Sequence, residues 1–285
     1  MASEEETGIF AGSGGVKIFY RHYAADAERA RMIITHGLGE HSGRYANVVG
    51  LLLPMGISVW IPDHRGHGRS EGKRGHVLSF HQYLTDLRAM IELAGEGKAG
   101  DCKIFLLGHS LGGLIALYYA QRFPETIDGL LVSSPALGMV VEVPAVKKIL
   151  GTIMSSIWPG LTMGNELEAS RISHDENVVN AYINDPLVHD RVSARFFTEL
   201  MTAMQAVNQQ VSAIRNPILM QIAGDDHLVN ARAAEHFFEK LAAADKTLHV
   251  YQGLYHEIFN EAAAQREQVL KDLEDWLAER IIPTP

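Results

Sequence analysis

The stretch KIFLLGHSLGGLIALYYA, residues 103–120, decides the fold of this chain. An apolar run precedes the pentapeptide GHSLG at 108–112, and a second apolar run of helical character follows it. The pattern predicts a strand, a sharp turn at Ser110 and a helix that begins at Leu111. Glycines two positions before and after Ser110 allow so tight a turn, which lifts the hydroxyl clear of the sheet. We interpret Ser110 as a nucleophile, against the alternative of a capping serine in a glycine-rich turn.

Apolar strands alternate with amphipathic helices over most of the chain. Strands are predicted at residues 8–11, 16–23, 31–35, 58–61, 103–107, 129–132, 218–222 and 247–251. Helices are predicted at residues 45–53, 80–93, 111–123, 231–241 and 261–280. This alternation is typical of the α/β class, with a mostly parallel central sheet flanked by helices on both faces. Reactive groups are then expected in loops at the carboxyl ends of the strands.

The alternation stops over residues 136–216, where no strand pattern is seen. Helical periodicity begins this segment, and more helix is predicted at 176–183 and 193–211. We interpret residues 136–216 as a helical cap inserted into a core that is formed by residues 1–135 and 217–285.

The first cap helix carries Ile149, Ile153 and Ile157 on one apolar stripe, with Trp158 at its end. Part of this stripe must pack on the core. Because a cap that follows a sheet strand stands over the catalytic edge, we expect these isoleucines to line an apolar pocket. We also expect the stripe to be partly exposed and to contact lipid surfaces weakly.

Composition narrows the class of function. The formal net charge of −9 at pH 7 argues against nucleic-acid binding and against recruitment to anionic lipid. No window approaches the roughly 20 uninterrupted apolar residues of a membrane span. Residues 1–6 are acidic and lack the basic-then-apolar plan of a signal peptide. The single cysteine, Cys102, cannot pair within the chain. We therefore expect a cytoplasmic protein.

A serine nucleophile needs a base within hydrogen-bond reach and an acid that orients the base. The predicted strand at 218–222 is followed by Asp225 and Asp226, which places both carboxylates near the catalytic edge. We favour Asp226, because Val229 completes the D-x-x-V pattern that follows the acid in many such enzymes. Asp225 is interpreted as a loop-capping residue.

The base is predicted from the last strand. The strand at 247–251 leads into a short loop that ends at His256, just before the last helix. His256 therefore returns to the catalytic edge and is our candidate base. His249 lies inside the strand and is interpreted as structural.

Two backbone amides are candidates for an oxyanion hole. Leu111 begins the helix after Ser110, and Leu38 lies in the glycine-rich loop HGLGEH after the predicted strand at 31–35. Glycines let this backbone approach a substrate, so the two amides can donate to one developing oxyanion. The alternative is an ordinary glycine-rich turn between a strand and a helix.

These segments resemble the α/β-hydrolase superfamily and, within it, the monoacylglycerol lipases and related lysophospholipases. Residues 36–45, HGLGEHSGRY, are similar to the family's HGxGEHSxRY stretch, and residues 63–72, DHRGHGRSEG, to its second motif, a structural loop. The second similarity accounts for the spacing of His64 and His67 without a metal ion. The resemblance implies a helical lid over an acyl tunnel. It also implies a hydrolysis that needs neither a metal nor a cofactor.

The resemblance also implies a polar end that receives glycerol. Glu40 and Arg44 match family positions near that end, and Tyr182 matches a cap tyrosine that is thought to contact glycerol. Fixing the oxyanion loop by an ion pair is an equally weighted role for Glu40 and Arg44. The sequence departs from some relatives at Phe259, where they carry a second histidine.

The combined interpretation is a serine hydrolase that cleaves monoacylglycerols to fatty acid and glycerol through an acyl-enzyme. The expected partner is a small lipid ester, with weak peripheral membrane contact through the cap. A broader carboxylesterase or lysophospholipase is the alternative within enzymes. A binding protein on an inactivated hydrolase fold is the alternative outside them.

Overall fold

The computed structural model of the chain describes residues 5–98, 100–140, 145–165 and 167–281, and for residues 145–150 it describes the backbone alone. The strands are β1 (Glu5–Ala11), β2 (Lys17–Tyr23), β3 (Ala30–Thr35), β4 (Ile57–Pro62), β5 (Lys103–His109), β6 (Gly129–Ser133), β7 (Thr162–Gly164), β8 (Arg191–Ser193), β9 (Ile218–Ala223) and β10 (Lys246–Tyr251). The helices are α1 (Ala46–Leu52), α2 (His81–Gly95), α3 (Leu111–Arg122), α4 (Ala145–Ile157), α5 (Glu176–Asn184), α6 (Ala194–Gln209), α7 (Ala231–Glu239) and α8 (Ala263–Ile281).

Eight strands form the central sheet in the order β1-β2-β4-β3-β5-β6-β9-β10. The β1–β2 and β2–β4 pairs are antiparallel, and every pair from β4 to β10 is parallel. After β3 the chain first adds β4 on one side and then β5 on the other, so the order of the strands reverses at β3 and β5. Ligand sites in open α/β sheets lie at this kind of reversal, beyond the carboxyl ends of the strands.

Helices cover both faces of the sheet, as its two-sided apolar strands require. One face packs under α2, α3, α6 and α7, with Leu114, Leu117 and Phe237 among the buried side chains. The other face packs under α1 and α8, with Val48, Leu52 and Leu273 in the core. Among the described residues, no helix has both the length and the apolar character that a bilayer crossing requires.

Between β6 and β9 the chain forms α4, α5 and α6, which lie close to the helices predicted there. The β7–β8 pair was not predicted from the sequence. Its register joins Met163 to Val192 in an antiparallel ladder. Each strand has only three residues, too few for an alternation of polar and apolar side chains to be recognised. The division of the chain into a core and a cap stays a prediction.

Candidate active site

Ser110 stands on a strained turn between β5 and α3. Its φ of 54° and ψ of −116° lie where residues with a side chain rarely settle. The turn is held in place because the Ser110 amide donates to Ser133 O at 3.0 Å and its carbonyl accepts from Ala136 N at 3.0 Å. A Cβ at Gly108 would collide with Gly112 O, which explains why the turn needs a glycine at that position.

His256 and Asp226 meet at the carboxyl edge of the sheet, as their positions after β10 and β9 predicted. The His256 Nδ1 lies 2.7 Å from Asp226 Oδ2, and the Asp226 side chain is fully buried. The other carboxylate oxygen accepts from the amides of Leu228 and Val229 at 2.8 and 2.9 Å. Two fixed amides thus orient the carboxylate, and the carboxylate orients the imidazole.

Burial and charge act in opposite directions on this pair. Burial alone would lower the pKa of His256, but the Asp226 carboxylate, helped by Glu257 and Glu40, raises it above its ordinary value. Burial likewise opposes ionisation of Asp226, yet His256 and the two backbone amides lower the pKa of that carboxyl. Burial, followed by the nearby His256, lowers the pKa of His109 to about 3, so its ring stays neutral beside the site.

Asp225 is separated from this pair. Its carboxylate is 55% exposed and lies 3.4 Å from His227 Nε2, on the outside of the loop. The other histidine considered from the sequence, His249, lies within β10 with its Nδ1 3.6 Å from Asp272.

Leu38 and Leu111, whose amides are proposed for the oxyanion hole, line one cavity together with Ser110. Leu111 is the first residue of α3, so its amide has no partner within the helix. Leu38 lies in the loop after β3, where Gly37 N donates to Glu40 Oε1 at 2.5 Å. Tyr45 donates its hydroxyl to the same oxygen at 2.8 Å. Glu40 therefore fixes the backbone turn that presents the Leu38 amide.

A buried charge cluster adjoins the catalytic edge. Arg44 contacts Glu40 at 3.2 Å and makes a bidentate pair with Glu257 at 2.5 and 2.9 Å. The Arg44 guanidinium also lies over the ring of Tyr182, 4.7 Å from its centre. The three residues predicted at the polar end are thus brought together, with Glu257 as a fourth that the sequence analysis missed. Its position directly after His256 was the available signal.

The ionisation of the two glutamates differs. Burial raises the pKa of Glu40 despite the Arg44 charge. For Glu257, burial acts in the same direction, but the bidentate contact with Arg44 outweighs it and lowers the pKa. Glu257 is therefore the stable ionic partner of Arg44, and Glu40 serves mainly as a hydrogen-bond acceptor.

One cavity joins these groups to an apolar wall. Its polar lining is formed by Glu40, His109, Ser110, Tyr182, His256 and Glu257. Its apolar lining is formed by Leu38, Leu111, Ala136, Met139, Leu167, Ala169, Ile172, Leu200, Met204, Leu228 and Val229. A molecule with one polar end and one apolar chain matches this division.

Two of the three cap isoleucines predicted to line the pocket, Ile153 and Ile157, are not brought to it. Ile153 and Ile157 are 48% and 74% exposed and lie outside the cavity lining, and the side chain of Ile149 is outside the described residues. The physical reason is the rotation of α4. Ser155 is buried and hydrogen-bonds Thr198 of α6 at 2.9 Å, so α4 turns the 151 and 155 side toward α6. Positions two residues away, such as 153 and 157, then face outward. The expected partial exposure of the stripe is observed.

The histidine cluster near the site has a structural explanation. His36 Nε2 accepts from the His64 amide at 2.9 Å, while its Nδ1 donates to Gly37 O at 2.8 Å. Burial is the main cause that lowers the pKa of His36, and it lowers that of His64 to about 4. Among the described residues, no group of three or more His, Cys, Asp or Glu side chains is arranged to hold a metal ion.

Sequence comparisons identify close relatives. The family model described as serine aminopeptidase S33, Hydrolase_4, matches residues 26–263. The chain is 34% identical over 283 residues to a monoacylglycerol lipase from Mycolicibacterium smegmatis, covering 99% of this chain and 100% of that protein. It is also 34% identical over 252 residues to phospholipase YtpA from Bacillus subtilis, covering 87% and 95% of the two chains.

Structural comparisons agree with the sequence relationships. A crystal structure of a monoacylglycerol lipase from Paleococcus ferrophilus gives a TM-score of 0.84 at 35% identity, covering 92% of this chain and 98% of that one. A soluble variant of a yeast monoglyceride lipase, from Saccharomyces cerevisiae, gives 0.86 at 23% identity, covering 100% and 97%. At that identity the yeast structure supports the fold alone. The predicted mostly parallel sheet flanked by helices is confirmed.

Proposed function

The chain belongs to the Hydrolase_4 family of α/β hydrolases, and on that premise we propose that it cleaves monoacylglycerols to fatty acid and glycerol. The observation that carries this proposal is one cavity lined by Ser110 and His256, by many apolar side chains, and by Glu40, Tyr182 and Glu257 of the buried charge cluster. The M. smegmatis and P. ferrophilus relatives, both called monoacylglycerol lipases, support the same substrate class.

In the proposed mechanism Ser110 attacks the ester carbonyl while His256 takes its proton. Asp226 accepts from Nδ1–H, which keeps the other ring nitrogen free to act as base. The amides of Leu38 and Leu111 stabilise the negative charge that develops on the carbonyl oxygen. His256 then gives its proton to the leaving glycerol oxygen. Water, activated by the same imidazole, attacks the acyl-enzyme, releases the fatty acid and restores the Ser110 hydroxyl.

The charge at the polar end favours glycerol over a phosphate headgroup. Recognition of phosphate commonly uses a guanidinium with free donors, but Arg44 already contacts Glu40 and Glu257. Two carboxylates against one guanidinium leave no excess positive charge for a phosphate dianion or monoanion. Hydroxyl groups of glycerol, in contrast, are able to donate to these carboxylate oxygens.

The alternative of a lysophospholipase has its own support in the phospholipase YtpA relative. Hydrolysis of a panel of monoacylglycerols beside lysophosphatidylcholine with matched acyl chains separates the two. We expect monoacylglycerol to be the better substrate, as judged by kcat/KM below the critical micelle concentration. A preference for lysophosphatidylcholine of tenfold or more, ~1.4 kcal/mol, would contradict the proposal.

The apolar wall predicts a dependence on chain length. Burial of each methylene contributes about 0.8 kcal/mol, nearly fourfold in affinity. We therefore expect kcat/KM to rise with acyl length and to level off when the cavity is full. A steady decline from acetyl esters onward would favour a small-ester carboxylesterase.

We further propose that residues 136–216 act as a cap over this cavity and meet lipid surfaces with an exposed apolar face. Ile153, Ile157 and Trp158 are 48%, 74% and 61% exposed, and Met163 is 67% exposed. Docking should rely on apolar contact and show no preference for anionic lipid, given the net charge of −9. Flotation that occurs only with anionic vesicles and disappears in salt would contradict this.

A cytoplasmic location is proposed from the single cysteine, Cys102.

A further inference from the structure

A further buried carboxylate, in addition to those of Asp226, Glu40 and Glu257, lies near the catalytic edge and has no part in the mechanism above. The Glu261 side chain is fully buried, at the end of the loop that carries His256. An ionised carboxylate is costly to bury unless several donors surround it. Glu261 meets that requirement with donors from two separate parts of the chain.

One set of donors comes from the segment that precedes α5. Glu261 Oε2 accepts from the His174 amide at 2.8 Å and from the Ser173 hydroxyl at 3.3 Å, while Oε1 lies 2.8 Å from His174 Nδ1. The Ser173 hydroxyl also reaches Asn260 O at 2.9 Å. These contacts span 87 and 88 positions of sequence, so they tie the region between β6 and β9 to the catalytic loop.

The other donor belongs to the catalytic loop itself. The amide of Tyr255, the residue before His256, donates to Glu261 Oε1 at 2.7 Å. The same oxygen therefore accepts from the catalytic loop on one side and faces the His174 ring on the other. A shift of the Glu261 carboxylate would move the backbone that carries His256.

Two further contacts join the 172–174 segment to the loop that carries His256. The Glu257 amide donates to Ile172 O at 2.8 Å, on the other side of His256. The His174 ring stacks on the Tyr255 ring with 3.7 Å between their centres. His256 thus lies between two residues whose backbone amides are both held. The Tyr255 amide donates to Glu261, and the Glu257 amide donates to Ile172 of the 172–174 segment.

We propose that Glu261 is a positioning residue that ties the 172–174 segment to the His256 loop and so holds the imidazole against Asp226. This rests on the proposed function only in taking His256 as the base. Hydrolysis of p-nitrophenyl butyrate tests it, because that ester needs the same base but makes no demand on glycerol recognition.

The first variant is Glu261→Gln, which replaces an acceptor oxygen by an NH₂ group that faces existing donors. A misplacement near 1 Å can cost roughly 100-fold in rate, so we expect kcat to fall about 10- to 100-fold with KM within about twofold. We also expect the acid limb of the pH profile to move to lower pH, because His256 is held less firmly against the charge that raises its pKa.

Glu261→Asp separates position from charge, since it keeps the charge but withdraws the carboxylate by one methylene. Positioning predicts a kcat between those of the native protein and Glu261→Gln, whereas a purely electrostatic role predicts full activity. Glu267→Gln is the matched control. It neutralises an exposed glutamate on α8 and should leave kcat, KM and the acid limb unchanged.

Each outcome has a defined meaning when assays are run well below the melting temperature of each variant. Native kcat and an unmoved acid limb in Glu261→Gln would overturn the proposal. If Glu261→Gln does not fold, His174→Ala decides, since it removes a donor whose side chain is 37% exposed. We expect His174→Ala to lose several-fold in kcat, and native kcat there would overturn the proposal. An inactive native protein that a fluorophosphonate does not label would instead overturn the proposed function.

Discussion

Substitution of Asp226 by asparagine tests the assignment of the catalytic acid. Asp226 Oδ1 accepts two backbone amides, from Leu228 and Val229, so an asparagine must keep its carbonyl oxygen on that side. Its NH₂ group then faces Nδ1 of His256, which at present lies 2.7 Å from the second carboxylate oxygen. Two donors cannot face each other, so Nδ1 becomes the acceptor and the proton moves to Nε2. That tautomer cannot take the proton of Ser110.

The size of the loss follows from this change of tautomer. Asparagine at the equivalent position of a serine triad costs about 10⁴ in kcat with the geometry intact. At 1.36 kcal/mol per tenfold change, this corresponds to about 5 kcal/mol of transition-state stabilisation. The shape of the side chain is retained, so we expect the variant to fold.

Asp225→Asn is the matched control, because the Asp225 carboxylate is 55% exposed and contacts only His227 among the ion pairs of the described residues. An exposed substitution of this kind changes the free energy of unfolding by about 0.5 kcal/mol or less. Because the Asp225 carboxylate pairs with His227 and not with the candidate base, we expect kcat/KM to stay within about twofold. The assay is kcat/KM on p-nitrophenyl butyrate, with the rate of fluorophosphonate labelling as a second measure of nucleophile activation. A crippled Asp225→Asn beside an active Asp226→Asn would refute the reasoning.

Three further predictions concern the same site. Ser110→Ala should abolish turnover, by about 10⁶-fold, and prevent fluorophosphonate labelling while the circular dichroism spectrum is retained; residual labelling would place the nucleophile elsewhere. The active form of His256 is neutral and its pKa is raised, so kcat/KM should fall as pH drops through a value above ~6.5; an acid limb below that value would contradict this. Gly39→Ala should lower kcat roughly 100-fold and reduce the melting temperature. Gly39 has φ of 79°, and a Cβ there would collide with His189 O, so an unchanged variant would show that the Leu38 loop tolerates displacement.

The sequence predicted the elements of the core well because each is encoded locally. The run at 103–120 contains a strand, a turn and a helix within one stretch, and the structure has β5 and α3 there. The acid and the base were selected by their positions after predicted strands, which requires only that parallel strands share a carboxyl edge. The contact between Asp226 and His256 agrees with that reasoning.

Contacts between distant loops were not predictable in this way. Arg44 and Glu257 are 213 positions apart, and only the order of strands in the sheet brings their loops together. The predicted orientation of α4 was wrong at Ile153 and Ile157 for a related reason. Its apolar stripe and its small-residue side are both compatible with burial. Which of the two is buried depends on α6, where Thr198 hydrogen-bonds Ser155. Periodicity locates a helix but does not decide which face a neighbouring helix covers.

The raised pKa of His256 has two opposite effects on catalysis. A base that binds its proton more tightly is blocked over more of the acid range, which limits activity below neutral pH. The same carboxylates, of Asp226 and Glu257, stabilise the imidazolium that forms as Ser110 attacks the ester. Arg44 offsets part of the negative charge near His256, because its guanidinium donates to both carboxylate oxygens of Glu257, at 2.5 and 2.9 Å. Loss of the Arg44 charge would leave Glu40 and Glu257 without the guanidinium that both contact, and the uncompensated negative charge would raise the pKa of His256 further.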